Sequence, residues 1–413
     1  MAFAAAVVLL AAYGLIFWWS NAQFGDLQVY MGASHAVLKG QMPYDQPFGT
    51  SHLDATYPPF VFLVMSPLSA LPFHLVEYLW PAASAAVLVA VFSMALRDVF
   101  TTGTIARNRW RRLVVAALLA GLAISAVEPV RSNFTLGQID VLLVGLVATD
   151  VLHRKSPARG ILTGVAAAIK FTPLIFVVVF IVDNDRRAAV RAAVTFVVLT
   201  VATWTLLPAD GARYFLHFPT EEKHIGPASY VGNQAWTGII ARLHITSPAS
   251  TILWVALSLA TLATAALLAR RLLQAQHPLT SALLVVAIAG LLISPISWSH
   301  EWSWLALAPV VLFGTPGGLG LHERRTPGAA LWLLLAVAIS GLYWWKSHGI
   351  PLGPLAPVAG DSLATSAIAL IGIWAWDGRR AGSTPAAGRK RTSLAPRGLL
   401  DEAPEPEQQG ATW

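Results

Sequence analysis

The stretch "GVAAAIKFTPLIFVVVFIV", residues Gly164–Val182, decides the fold class, because it is almost entirely apolar and Lys170 is its single charged residue. An apolar stretch of about 20 residues is long enough to cross a bilayer as a helix. Pro173 interrupts the stretch, since proline lacks an amide proton and disfavours helix in the residue before it. The stretch therefore predicts a membrane helix that is broken near Phe171–Pro173 and that carries a lysine in its interior.

Similar apolar runs recur along the whole chain. The 413 residues are 56% hydrophobic and only 12% charged, whereas about 25% of the residues of a soluble protein are charged. The composition predicts an all-α polytopic membrane protein, with Ala2–Trp19 retained as its first span. The predicted membrane elements are Ala2–Trp19, Pro59–Leu71, Leu75–Leu96, Leu113–Val127, Val141–Leu152, Gly160–Val182, Ala188–Leu207, Ile252–Leu272, Ser281–Ile296, Trp302–Phe313, Ala329–Trp345 and Ser362–Trp376.

The basic residues predict the orientation of these elements, because short loops rich in lysine and arginine face the cytoplasm. The basic loops all fall on the cytoplasmic side if Pro59–Leu71 does not cross the membrane and if Gly160–Val182 is a hairpin. This topology has about 10 full crossings, with re-entrant or broken elements and both termini cytoplasmic. Residues 1–377 form the membrane domain, and residues 378–413, rich in Pro, Ala, Gly and charge, are predicted to be a disordered cytoplasmic tail.

The same charge pattern narrows the function classes. The net charge of +7 comes from basic loops between spans, which is typical of membrane orientation and not of a groove that follows nucleic-acid phosphates. The chain has no cysteine, which excludes disulfides, zinc–thiolate sites and thiol chemistry. We expect the lipid bilayer, and no nucleic acid, as a partner.

Asp26 lies in the first outer loop, "FGDLQVYMGASHAVLKGQMPYD", at the start of a stretch with helical spacing. Gly40 and Pro43 then stop that helix, which we expect to lie on the outer surface. Two interpretations of Asp26 remain open. Aspartate often caps a helix N-terminus, and a carboxylate at the boundary of water and lipid can also act as a general base.

Polar residues also gather around the apolar stretch. Arg131, Gln138 and Asp140 lie in or beside Glu128–Gln138, which is predicted as a short outer turn. Gln138 and Asp140 suit a helix start, and Arg131 suits an anionic head group. A lysine deep in a span costs about 2.5–3.5 kcal/mol and is normally paired or faces a polar cavity. Lys170 therefore either snorkels to an interface or binds a phosphate.

Two further outer segments are "GNQAWTGIIARL" from Gly232 and "SPISWSHEWSW" from Ser294. Trp298 is most simply a tryptophan of the interfacial aromatic belt. His300 and Glu301 follow it at a predicted helix start, and either line a site or serve the helix. The sequence leaves both interpretations open.

Taken in order, several motifs resemble glycosyltransferase family 87, the polyprenyl-phosphate-sugar-dependent membrane transferases with the GT-C fold. The series is Asp26, "LKGQMPYD", "YPPF" followed by "SPLSALP", "GQID", "GVAAAIKFTP", "GNQAWTGIIARL" and "SPISWSHEW". The resemblance implies transfer of mannose from polyprenyl-phosphate-mannose, usually with α-1,2 outcome, to a glycolipid such as a phosphatidylinositol mannoside or a lipoarabinomannan precursor. It implies that Asp26 is the catalytic base and that His300 lies at the donor site.

The implied chemistry needs few groups. A phosphate leaves without a proton, so one carboxylate suffices to take the proton of the acceptor hydroxyl as the anomeric centre inverts. We expect the leaving phosphate to be met, in place of a metal, by Lys170, His300, Arg131 and Arg242. We expect no metal and no cofactor. The residues expected to bind substrate are Tyr57, Gln138, Asp140, Asn233, Gln234, Trp298 and Glu301.

Two alternatives remain. An arabinosyltransferase that uses decaprenyl-phospho-arabinose needs the same groups, so the sequence does not separate the two donors. A flippase for lipid-linked sugars should carry polar groups along its path to the cytoplasm, and the cytoplasmic halves of the predicted spans are almost free of them. The expected location is the plasma (inner) membrane, with the active site on the extracytoplasmic face.

Overall fold

We describe the protein from a computed structural model, in which residues 22–101, 103–217, 226–314 and 360–382 are described. The regular secondary structure of these residues is almost entirely helical, as predicted. The predicted spans Ala2–Trp19 and Ala329–Trp345 lie outside the described residues, and so does most of the predicted tail. The predicted number of crossings and the side of each terminus therefore stay predictions.

The helices follow one another with short connections. In chain order they are α1 Gly25–Leu38, α2 Pro59–Ser69, α3 Phe73–Val99, α4 Gly103–Arg107, α5 Arg109–Ala126, α6 Glu128–Leu136, α7 Asp140–Leu152, α8 Ile161–Ile169, α9 Val177–Val182, α10 Arg186–Leu206, α11 Pro208–Ala212, α12 Trp236–Arg242, α13 Ala249–Gln274, α14 Leu279–Ile293, α15 Ala308–Gly314 and α16 Ser362–Gly382. Segments of 3-10 helix cover Pro43–Asp45, Thr172–Phe176 and Ser299–Leu307, and Arg213–His217 forms a π turn. A small antiparallel hairpin pairs β1, Pro47–Phe48, with β2, Leu53–Asp54.

Several helices have the length and composition of membrane spans. Among the described residues, α3, α10 and α13 are each long and apolar enough to cross a bilayer, and α5 with α6 would make a fourth span bent by 81°. The valines of α10 form an exposed apolar surface, because Val190, Val194, Val197, Val198 and Val201 are each more than half exposed. A soluble protein rarely exposes such a continuous apolar surface. The chain is a helical membrane protein.

The centre of the fold is α14, in which every residue from Leu279 to Leu292 is buried. A helix that is apolar on all sides is expected to be enclosed by other helices. α14 packs against α13 and against the 3-10 segments Thr172–Phe176 and Ser299–Leu307. It therefore supports the segment that follows Lys170 and the segment that contains His300.

The predicted break in Gly160–Val182 is confirmed. α8 ends at Ile169, Lys170 is extended with φ −151° and ψ 132°, and a 3-10 segment with Pro173 as its second residue follows. Close contact fixes the start of α8, because a Cβ on Gly160 would lie 2.1 Å from the carbonyl oxygen of Ala188, on α10. Small residues let helix backbones approach each other in this way. The position of Lys170 at the end of α8 is thereby tied to α10.

The prediction of a short turn over Glu128–Gln138 is wrong, because Glu128–Leu136 is the helix α6. Its limits follow ordinary rules. Pro129 occupies the first turn, where its missing amide proton costs nothing, and Gly137 ends the helix in the left-handed region with φ 71°. The last helix also differs from expectation at its end, since α16 continues to Gly382, beyond the predicted domain limit at residue 377.

Candidate active site

Asp26 is the second residue of α1 and does not cap it. The N-cap position belongs to Phe24, and no side chain makes a capping hydrogen bond there. The start of α1 is held by α6 instead, since the amides of Gln23 and Phe24 both donate to the carbonyl of Thr135 at 3.0 Å. The contact places Asp26 beside the end of α6 and the segment that follows it. The capping interpretation of Asp26 is therefore not supported.

Gln138, in the segment that follows α6, is bound by two tyrosines. Its side-chain Oε1 accepts hydrogen bonds from the hydroxyls of Tyr30 at 2.6 Å and of Tyr57 at 2.9 Å. The two tyrosine rings meet edge to face, with centroids 5.1 Å apart. The indole of Trp80 donates to the backbone carbonyl of Gln138 at 3.4 Å. Gln138 is thus fixed through both its side chain and its backbone.

Lys170 lies between two carboxylates. Its Nζ is 2.8 Å from Oδ1 of Asp140 and 2.8 Å from Oε1 of Glu301, and it lies over the Tyr57 ring at 5.4 Å from the centroid. The three charged side chains are largely buried. A charged group inside a membrane protein is normally paired or faces a polar cavity. The pairing accounts for Lys170 without snorkelling to an interface.

Each of these carboxylates has one oxygen left over. Among the described residues, neither Oδ2 of Asp140 nor Oε2 of Glu301 has a hydrogen-bond partner, although both atoms are buried. Nε2 of His300 lies 3.7 Å from Oδ2 of Asp140, which is too long for a hydrogen bond. Asp140 and Glu301 also line a cavity of about 30 Å³, together with Thr172 and Trp304. Among the described residues, two buried acceptors therefore remain without a donor.

Asp26, near the start of α1, belongs to the same electrostatic group. Burial raises the pKa of its carboxyl to about 6, with a further increase from the Asp140 carboxylate, while a hydrogen bond with Gln138 and the charge of Lys170 lower it. A carboxylate with a pKa close to neutral pH is well suited to accept a proton. The arrangement can therefore supply a general base beside a buried cluster of charges.

The structure thus brings together most of the predicted site residues. Asp26, Tyr57, Gln138, Asp140, Lys170, His300 and Glu301 are linked through the contacts described above. Sequence reasoning missed Tyr30 and Trp80. A signal for Tyr30 was present, because residues four apart lie on the same face of a helix and Tyr30 follows Asp26 by four.

Other predicted residues lie in a second group built on protein contacts. Arg242 makes an ion pair with Asp361 and donates to the carbonyls of Tyr230 and Asn233, each at 2.9 Å. Oδ1 of Asn233 accepts from the amide of Ser297 at 3.1 Å. This group therefore supports the loop ahead of His300.

Gln234 and Trp298 belong to the second group as well. Oε1 of Gln234 accepts from the amide of Leu363 at 3.1 Å, and its Nε2 donates to the carbonyl of Gly360 at 2.8 Å. Trp298 pairs with Asn233 through a β-bridge. Arg131 lies apart on α6, where its Nη1 is 3.5 Å from the carbonyl of Ser125. Ligand contacts for these residues stay predictions.

Comparisons with known proteins agree with the class that the sequence predicts. A family model described as Glycosyltransferase family 87 matches residues 55–295. The chain belongs to this family and is a glycosyltransferase.

Relatives extend the similarity over most of the chain. A Mycobacterium tuberculosis protein is 36% identical over a 324-residue alignment, and the match covers 74% of this chain and 73% of that protein. A Mycolicibacterium smegmatis protein is 33% identical over a 359-residue alignment, and the match covers 78% of this chain and 81% of that protein. Both are named polyprenol-phosphate-mannose-dependent alpha-(1-2)-phosphatidylinositol mannoside mannosyltransferase.

A second Mycolicibacterium smegmatis relative, 32% identical over 337 residues, is named for a phosphatidylinositol pentamannoside acceptor and matches 80% of this chain and 78% of its own length. Among solved structures, the crystal structure of ArnT from Cupriavidus metallidurans in the apo state aligns with a TM-score of 0.42 and 18% identity. That alignment covers 92% of this chain and 78% of ArnT.

Proposed function

We propose that the protein transfers mannose from polyprenyl-phosphate-mannose to a glycolipid acceptor, with Asp26 as the base. The observation that carries the proposal is the position of Asp26, a carboxyl with a pKa of about 6 beside the buried cluster of Asp140 and Lys170. The names of the relatives support the donor, the phosphatidylinositol mannoside class of acceptor and the α-1,2 linkage. A GT-C-type fold is the expectation that family membership brings.

In this mechanism the Asp26 carboxylate takes the proton of the acceptor hydroxyl as its oxygen attacks the anomeric carbon of mannose. The bond from that carbon to the phosphate oxygen breaks, and polyprenyl phosphate leaves with the bonding electrons. The anomeric configuration inverts, because attack and departure occur on opposite faces. A positioned base of this kind contributes about 10²–10⁴ to the rate.

Lys170 and His300 are proposed to hold the departing phosphate, without a metal. An ammonium group has three donors, and two of those on Lys170 are directed to Asp140 and Glu301. The third remains for a phosphate oxygen. Arg131 and Arg242 are the further cations proposed for this role. Arg242 is proposed to act on the phosphate less directly than Arg131, because its guanidinium already binds Asp361 and two backbone carbonyls.

The oxygens left over on Asp140 and Glu301 are proposed to accept hydrogen bonds from sugar hydroxyls. Buried acceptors without partners are unfavourable, and hydroxyl donors from a bound sugar would satisfy them. Tyr57 and Trp298 offer aromatic faces for the same ligand. Gln138, Asn233 and Gln234 complete the set of side chains proposed to bind or surround the substrates.

The reaction is proposed to take place at the extracytoplasmic face of the plasma membrane. The polyprenyl tail of the donor stays in the bilayer, so the chemistry belongs at a membrane interface. The proposal places α1 with Asp26 at that interface, near Lys170, which follows the apolar helix α8.

The test is transfer by the purified protein in proteoliposomes, with labelled polyprenyl-phosphate-mannose, a glycolipid extract and EDTA. We expect labelled mannose in a glycolipid, in an α-1,2 linkage by mass spectrometry and glycosidase digestion. Activity only with decaprenyl-phospho-arabinose would contradict the donor assignment. Loss of activity in EDTA that added magnesium restores would contradict metal independence. Movement of the lipid-linked sugar across the bilayer without transfer would contradict the enzyme and favour the flippase.

A further inference from the structure

We propose that Tyr30 and Tyr57 are positioning residues that act on Asp26 through Gln138. In this arrangement the two hydroxyls hold the Gln138 amide so that its NH₂ group faces the Asp26 carboxylate. The proposal rests on the proposed role of Asp26 as the base, and it assigns to Gln138 and Tyr57 a task other than substrate contact.

The hydrogen bonds around Gln138 define the direction of its amide. A glutamine side chain has one acceptor oxygen with two lone pairs and one NH₂ group with two donors. Oε1 of Gln138 already meets the Tyr30 hydroxyl at 2.6 Å and the Tyr57 hydroxyl at 2.9 Å. Both lone pairs are thereby used, so the NH₂ group is what remains for the neighbouring Asp26.

The reversed amide is unfavourable for a simple reason. It would turn Oε1 toward the Asp26 carboxylate and place two groups that only accept hydrogen bonds against each other. Gln138, Tyr30 and Tyr57 are 4%, 1% and 9% exposed, so water offers little compensation in either orientation. One tyrosine hydroxyl is enough to favour the observed orientation, whereas loss of both removes its support.

The surrounding structure holds Tyr30, Tyr57 and Gln138 close to one another. Tyr30 is one helical turn beyond Asp26 on α1, so the base and the first tyrosine share a rigid element. Tyr57 comes from the segment ahead of α2, and Gln138 from the segment between α6 and α7. The hydrogen bonds therefore join three separate parts of the chain at the carboxylate.

The charged and titratable groups around Asp26 stay in place when the hydroxyls are removed. They are Asp140 at the start of α7 and Lys170 after α8. The phenols of Tyr30 and Tyr57 also interact with Asp26, and they are the groups that the substitutions remove. Replacing tyrosine by phenylalanine changes no charge at working pH. A shift in the titration of Asp26 would therefore report the hydrogen bond from Gln138.

The experiment is a double-mutant cycle of Tyr30→Phe and Tyr57→Phe in proteoliposomes. We measure kcat and the KM for polyprenyl-phosphate-mannose, together with the pH profile of kcat. Each single variant should lose only a few-fold in kcat. The double variant should lose on the order of tenfold beyond the product of the two single effects, which is a fraction of what a base contributes. The donor KM should stay the same.

The pH profile separates positioning from a merely structural role. The Gln138 hydrogen bond stabilises the carboxylate form, so its loss should raise the pKa of Asp26 and move the acid limb of kcat to higher pH. Tyr44→Phe is the matched control, because Tyr44 is equally buried and donates its hydroxyl to the backbone carbonyl of Tyr57 at 2.9 Å. It should leave the acid limb unmoved.

Simple multiplication of the two single effects, with an unmoved acid limb in the double variant, would overturn the proposal. So would an effect confined to the donor KM. Asp26→Asn separates this failure from failure of the proposed function. Full turnover in Asp26→Asn would show that Asp26 is not the base, which contradicts the proposed function. An inactive Asp26→Asn, together with an unmoved acid limb in the double variant, would contradict only the role of the tyrosines.

Discussion

Replacing Lys170 by methionine should expose how strongly the buried cluster depends on its single ammonium. The substitution keeps most of the side-chain length and removes the charge that lies 2.8 Å from both Asp140 and Glu301. Removing one partner of a buried ion pair costs about 3–5 kcal/mol, because the remaining charge is left without compensation. Here two carboxylates lose the same partner, so we expect a loss at the upper end of this range.

The assay is thermal unfolding of the purified protein in detergent, followed by mannose transfer in proteoliposomes. The matched variant combines Lys170→Met with Asp140→Asn and Glu301→Gln, which makes the cluster neutral at nearly constant volume. Replacing all members of a buried ionic group by uncharged residues is often close to neutral for stability. We therefore expect the triple variant to recover most of the lost Tm, and to remain inactive.

An unchanged Tm in Lys170→Met would refute the reasoning, because it would mean that the two carboxylates do not need the ammonium. A triple variant less stable than Lys170→Met would refute it as well. Recovery of transfer along with stability would contradict a direct role of Lys170 at the leaving phosphate.

Three further predictions follow from single contacts. Transfer should fall as the pH drops below about 6, because Asp26 must be deprotonated to act as a base and its pKa is raised from 3.8 to about 6; an acid limb near pH 4 in the profile of kcat would contradict this. Gly160→Ala should lower the free energy of unfolding by about 2 kcal/mol or more, since its Cβ would meet the Ala188 carbonyl and its φ is +101°; thermal unfolding measures the loss, and a stability equal to that of the unmodified protein would contradict the close approach. Arg242→Met should cost about 3 kcal/mol because Asp361 loses its partner, and the same measurement would show no change if the pair contributed nothing.

Local signals explain which parts of the fold the sequence predicts. The break at Pro173 and the helix α1 follow from proline chemistry and from apolar spacing, which act over a few residues. The sequence predicts a turn at α6 because the polar residues of this segment give no apolar helical pattern, although Pro129 and Gly137 mark the limits of the helix. Proline and glycine can therefore mark the limits of a helix that the hydropathy pattern does not indicate.

The pairings in the site depend on packing between distant segments and could not be read from the sequence. Lys170 is predicted to need a partner, but the choice of Asp140 and Glu301 follows from how α7 and the 3-10 segments Thr172–Phe176 and Ser299–Leu307 pack around α14. The ion pair between Arg242 and Asp361 was missed for the same reason, since 119 positions separate the two residues.

The most direct test of the central claim compares Asp26→Asn with Asp45→Asn in the mannose transfer assay. Asp45 follows α1 in the chain, and its side chain is 59% exposed and pairs with Arg213, so it controls for loss of a carboxylate near the surface. We predict that Asp26→Asn lowers kcat by about 10²-fold or more, with unchanged Tm and donor binding, and that Asp45→Asn keeps its turnover. Equal turnover in the two variants would contradict the assignment of Asp26 as the base.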